Sequence, residues 1–201
     1  ALPRWFVTNF LNGESAETYK GIEDEIISLE IPPGANGLLM LPYFMGERTP
    51  IWDENASGLV MGLSLMHQKA HLYKAVLEST AYSLRHIMQT MDSNIVTDRI
   101  ILMGGGAKSY LWQTIFADVT GLPVYTAKTS IEAPMGDAFM AALAVGLVDS
   151  YSQIKDWVEF KPPVMPNKGN HTLYNRYFSV YKEIYPLLKG KMKELKEISK
   201  M

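Results

Sequence analysis

A short apolar run, Arg99-Ile100-Ile101-Leu102-Met103, passes directly into Gly104-Gly105-Gly106-Ala107, and Ser109 then stands where a helix N-cap belongs. That order predicts a strand, a glycine turn and a helix that ends near Gly121-Leu122-Pro123. A further short strand is expected at Val124-Tyr125-Thr126, and Pro134 sits at a first helical position, opening an alanine-rich helix to about Val148. Strand and helix that alternate in this way bury their apolar faces against each other as layers, so the expected fold class is α/β.

The same punctuation extends upstream. Pro32-Pro33-Gly34 and Asn36-Gly37 break the chain before Leu38-Leu39-Met40-Leu41, which reads as a short buried strand. Gly58 to Leu65 reads as another strand, with Gly58 and Gly62 where backbone must pass closely. From about Gln68 to Met91 apolar residues recur at helical spacing through Leu72, Val76 and Ile87. Residues 1–31, which include Asn12-Gly13 and a Glu/Asp run, are expected as a lead-in to an α/β lobe over 32–150. Residues 151–201 are expected as an extended connector, Lys161 to Asn167, followed by a helix carrying Tyr174, Tyr177, Phe178, Tyr181, Ile184, Tyr185 and Leu188 that packs on the same lobe.

Composition removes several classes of function. The formal net charge is −2 with no arginine-rich stripe, which argues against a nucleic-acid partner. The chain contains no cysteine, so disulfides, thiolate metal sites and a cysteine nucleophile are all excluded. The longest apolar stretch, around Ala138 to Val148, is too short for a bilayer, and the opening residues show no basic-then-apolar leader. A soluble, cytoplasmic protein with no membrane partner is the expectation. The alternating charges from Lys189 to Lys200 read as a solvated helix.

Residues with little or no side chain at the end of a strand let backbone N–H groups approach an anion, and a helix N-terminus adds partial positive charge. The glycine turn is therefore a candidate phosphate cradle, though it is equally compatible with a ligand-free connection. It is not a P-loop, because Lys108-Ser109 follows Ala107 rather than the glycine that motif needs. A dinucleotide fingerprint fails too: Ser109 stands where glycine is required, and the nearest acidic partner is Glu132.

A longer pattern is more specific. Leu41-Pro42-Tyr43-Phe44-Met45-Gly46-Glu47-Arg48-Thr49-Pro50, Trp52-Asp53, Gly58-Leu59-Val60-Met61-Gly62-Leu63, His71-Leu72 and Ala75-Val76-Leu77-Glu78 together resemble the second sequence motif of FGGY carbohydrate kinases. Gly104 to Ser109, with Trp112 and Ala117-Asp118, resembles that family's adenosine-binding turn, and Glu132 with Gly136-Asp137-Ala138 its next helix. The tail from Tyr174 to Leu188 is similar to xylulokinase-like members. The resemblance spans Pro32 to Lys189.

It implies the second lobe of an actin-like, hexokinase-type (ribonuclease H-like) ATPase, with a mixed sheet flanked by helices and a C-terminal helical tail. It further implies ATP and Mg²⁺ as cofactors and phosphoryl transfer to a sugar or polyol, with xylulose the first expectation and gluconate and glycerol open. By the same resemblance the sugar contacts, the N-terminal phosphate loop and the aspartate base belong to a first lobe not found in this chain, so no catalytic residue is assigned here. Gly104, Gly105, Gly106 and Ala107 are expected to pass the phosphates and ribose, Ser109 to lie near the adenosine, and Gly46 and Arg48 to sit on the loop facing the phosphates. Arg48 stands where glycerol-kinase-like members carry glycine. A stand-alone nucleotide-binding module of the same fold is the alternative, and a homodimer is compatible with either reading.

Blander roles are set beside these. Glu47 and Arg48 are equally read as pairing to pin their own loop. Asp118 and Asp137 sit in helical patterns, where solvated or capping roles are expected over Mg²⁺ ligation. His67 and His71 are spaced i, i+4, but no glutamate follows His67 and no metal site is expected; His86 and His171 lack even that spacing.

Overall fold

A computed structural model describes residues 1–11, 13–92, 95–129 and 133–199. Glu132, Asn12 and Lys200 lie outside the described residues. The chain opens with helices α1 (Leu2–Phe10) and α2 (Ala16–Ser28). Ser15 caps α2 by accepting from the Thr18 N–H at 3.1 Å. Residues 1–31, expected as a lead-in, are instead part of the core: Leu2, Phe6 and Val7 of α1 and Ile22 and Ile26 of α2 are buried, and both helices pack on α3. In α2 the buried stripe is only Ile22 and Ile26, too thin to stand out from the polar residues around it, whereas α1 is a short, mostly apolar helix whose Leu2, Pro3, Phe6 and Val7 are buried.

Strands β1 (Leu39–Leu41) and β2 (Leu59–Met61) pair antiparallel, with Met40 opposite Val60. Helix α3 (Lys69–Thr90) follows, and its buried first half runs from Ala70 to Tyr82. Strand β3 (Ile100–Leu102) leads through a 3₁₀ turn, Gly104–Lys108, into α4 (Tyr110–Thr120) and then β4 (Val124–Thr126), which lies parallel to β3. Ser109 accepts from the Trp112 N–H at 3.0 Å, and Gly121 closes α4 in the left-handed region, as the sequence predicts.

Among the described residues the strands form two separate pairs, one antiparallel and one parallel, where one mixed sheet is expected. Each pair has its own helical cover: β1 packs on α3 and α7, whereas β4 packs on α4. Helix α5 (Ala133–Ala144) stops short of Val148 because Gly146 takes φ +74 and the Leu147 N–H turns back to the Ala142 carbonyl. After the short α6 (Ile154–Trp157), the connector lies along β4, with Val164 bridged to Val124, and α7 (Lys168–Ile198) completes the fold.

Helix α7 is 31 residues long and runs through Pro186, well beyond the segment its apolar stripe marks. Tyr174, Phe178, Tyr181 and Ile184 bury its inner face. Its first turn is tied to α4 by Asp118, which is only 2% exposed. Asp118 Oδ1 accepts from the Asn167 N–H at 2.7 Å, Oδ2 accepts from Asn170 Nδ2 at 2.8 Å, and His171 Nδ1 donates to the Asp118 carbonyl at 2.8 Å. Of the two roles expected for Asp118, the structure selects capping, and it does so in the interior rather than in solvent.

Candidate nucleotide-facing segments

Two stretches carry the residues that the sequence singles out. In the first, Gly104 takes φ +69, a conformation that turns the chain out of β3. Gly105 is open to space, and a Cβ built on Gly106 would lie 3.4 Å from the Trp112 ring, an ordinary contact. Gln113 Nε2 donates to the Ala107 carbonyl at 3.0 Å and so fixes the turn against α4.

Beside the turn lies a groove of about 470 Å³, at the carboxyl ends of β3 and β4, whose lining includes Gly104, Ala107, Lys108, Gln113, Lys128 and Lys161. Lys128 is paired with Glu159 at 2.8 Å, and Lys108 and Lys161 still give the groove an excess of positive charge. Gly105, Gly106 and Ser109 fall outside its lining, and the Ser109 hydroxyl is committed to capping α4. Nothing in the sequence pattern marked Lys128 or Lys161, because they come from the strand after the turn and from the returning connector.

The second stretch is the loop between β1 and β2. Gly46 takes φ +74, and a Cβ there would stand 3.0 Å from backbone atoms of Glu54. Glu47 and Asp53 exchange backbone hydrogen bonds of 3.0 and 2.9 Å, which closes the excursion through Arg48, Pro50 and Trp52. The Glu47 carboxylate accepts from the backbone N–H of Arg48 at 2.8 Å, and among the described residues no ion pair joins the two side chains. The loop is thus pinned through backbone, and the exposed Arg48 guanidinium remains available. Partial burial pushes the Glu47 carboxyl above its usual range. Gly46 lines a smaller groove of about 290 Å³ with Phe44, Met45, Ser57 and Lys196. The two stretches therefore border different grooves.

No group of three or more His, Asp or Glu side chains suited to a metal is present among the described residues. His71 caps α3, with Nδ1 accepting from the Gln68 N–H at 3.2 Å, and His67 Nδ1 accepts from the Ser64 N–H at 2.9 Å. Asp137 is exposed on α5. No helix of the described residues is long and apolar enough to cross a membrane.

A parallel strand–turn–helix–strand unit with its groove at the strands' carboxyl ends, wrapped by a long terminal helix, is the architecture of an actin-like ATPase lobe. Residues 2–145 match the family model "FGGY family of carbohydrate kinases, C-terminal domain", and the chain belongs to that family. It is 35% identical over 189 residues to a xylulose kinase of Staphylococcus epidermidis, covering 90% of this chain and 36% of that protein. A gluconokinase of Bacillus licheniformis is 32% identical over 165 residues, covering 77% of this chain and 32% of that protein. Among solved structures, a ligand-bound xylulose kinase from Lactobacillus acidophilus superposes with a TM-score of 0.83 at 27% identity, over 96% of this chain and 39% of that one. A gluconate kinase from the same organism gives 0.82 at 28%, over the same shares. The chain spans between about a third and two fifths of the length of these relatives.

Proposed function

We propose that this chain is the ATP-holding C-terminal lobe of a cytoplasmic carbohydrate kinase, which transfers the γ-phosphoryl group of ATP to a hydroxyl of a sugar or polyol, with xylulose the first substrate to test. The observation that carries this reading is the glycine turn at the mouth of α4, set beside a groove edged by Lys108, Lys128 and Lys161. The turn can offer backbone N–H groups to an anion, and the ammonium groups favour phosphate over a neutral ligand.

When bound, ATP supplies the phosphoryl group and the leaving diphosphate; the chain's own task is to hold them. Gly104 to Ala107 pass close to the nucleotide because they carry no bulky side chain, and Gly46 and Arg48 face the phosphates from the second loop. Arg48 then offsets charge that develops on the transferring group. Among the described residues the carboxylates do not form a set that would hold Mg²⁺. The sugar, and the base that takes the proton from its hydroxyl, belong to a first lobe.

A phosphorylation screen of the intact kinase polypeptide over pentuloses, polyols and aldonates tests the substrate class, with xylulose expected to be turned over. The present chain alone, given the same sugars with ATP and Mg²⁺, should show no product above background and should bind ATP weakly by calorimetry. Submicromolar ATP affinity, or sugar turnover that follows the chain through a second column, overturns the two-lobe reading.

A further inference from the structure

The Gly46–Arg48 loop has little packing of its own at its tip. Met45 is 96% exposed, Trp52 is 76% exposed, and Arg48 is exposed as well. What fixes such a loop must act at its base, where Glu47 and Asp53 pair through their backbones. Asp53 is the junction. Its Oδ1 accepts from the Asn55 N–H at 2.8 Å, which turns the chain away from the pair, and its Oδ2 accepts from the Tyr185 hydroxyl at 2.6 Å. Tyr185 comes from α7, 132 residues further along the chain, and its ring stands edge-on to that of Tyr43 with centroids 5.9 Å apart.

Two more contacts from α7 flank the same base. Tyr181 and Tyr43 join hydroxyls at 3.1 Å, and Lys196 Nζ donates to the Glu54 carbonyl. The hydrogen bond to Asp53 is charge-assisted and short, whereas the others are neutral or solvent-exposed, so it is the strongest of the three. At its other end α7 is joined by Asp118 to the last turn of α4, the helix that the glycine turn opens.

We propose that Tyr185 is a positioning residue: its hydroxyl holds Asp53, and Asp53 holds the loop in the conformation that presents Gly46 and Arg48 to the phosphates of the nucleotide. This rests on the reading of that loop as phosphate-facing.

The test is steady-state kinetics of the intact kinase with three variants. Tyr185→Phe keeps the ring against Tyr43 and removes only the hydroxyl; it should raise the KM for ATP about three- to tenfold and leave the sugar KM within twofold. Asp53→Asn should act in the same direction, and the double variant should be no worse than the weaker-binding single variant, because both break one connection. Arg48→Ala separates the two readings. If Arg48→Ala leaves the ATP KM unchanged, the loop does not face the phosphates and both readings fall. If Arg48→Ala raises it while Tyr185→Phe does not, only the positioning role falls. Equal changes in both KM values, or additive effects of Tyr185→Phe and Asp53→Asn, would also overturn it by showing a general loss of structure.

Discussion

The hydroxyl of Tyr174 donates to Oε1 of Glu78 at 2.8 Å, deep between α7 and α3. The same oxygen accepts from the Gly34 N–H at 2.9 Å, so a single carboxyl joins the turn before β1 to two helices. Its other oxygen is buried without a hydrogen-bond partner. Burial pushes the carboxyl up from 4.5 to about 7, opposed by nearby Lys74 and by the two donors.

The sign of the resulting pH dependence follows from that rise. Below pH 4.5 the group is protonated whether folded or unfolded and costs nothing. Between 4.5 and about 7 only the unfolded chain ionises, so stability should fall as pH rises through this window and level off above it. The shift sets a ceiling of about 3 kcal/mol on the effect. Urea melts from pH 4.5 to 8 should show this decline in the native chain and a much flatter profile in Glu78→Gln. An unchanged slope in the variant would mean that another group is responsible.

Asp118 makes two side-chain hydrogen bonds from a buried position, so Asp118→Ala strands the Asn167 N–H and the Asn170 amide. The expected loss is about 3 kcal/mol, a drop of several degrees in Tm. Asp118→Asn should lose less, since the Asn170 amide can flip to meet it. Scanning calorimetry of the two variants decides this, and equal losses would show that the charge itself is indispensable.

Gly62 offers a steric test. It takes φ +91, and a Cβ there would lie 2.1 Å from the Gly37 carbonyl oxygen, which is backbone and cannot swing aside. Gly62→Ala should destabilise by about 3 kcal/mol through strain and separation of the two segments. Gly21→Ala is the control: it sits in α2 with nothing within 4 Å and should stabilise by about 0.5–1 kcal/mol. Paired thermal melts should therefore move in opposite directions.

Gly106→Val tests the glycine turn. An added Cβ meets Trp112 at 3.4 Å, a tolerable contact, so the fold should survive. In the intact kinase the ATP KM should rise with the sugar KM nearly unchanged. Unaltered ATP kinetics in a folded variant would remove this face of the turn from the nucleotide site.

The sequence by itself determined the unit from Ile100 to Thr126 and the place of α3. Apolar runs of strand length, a serine at an N-cap and glycines where backbone must turn are local signals, read within a few residues of where they act. The close approach at Gly62 was legible for the same reason. Tertiary structure decided the rest. Asp118 meets Asn167 across 49 positions, and Asp53 meets Tyr185 across 132. Tyr185 looked like one more ring on an apolar stripe, because pattern shows which face of a helix turns inward but not which carboxylate waits there. Lys128 and Lys161 reach one groove only because the connector folds back along β4. Local chemistry chooses secondary structure, whereas the burial that turns a carboxylate into a clamp depends on which distant segments come together.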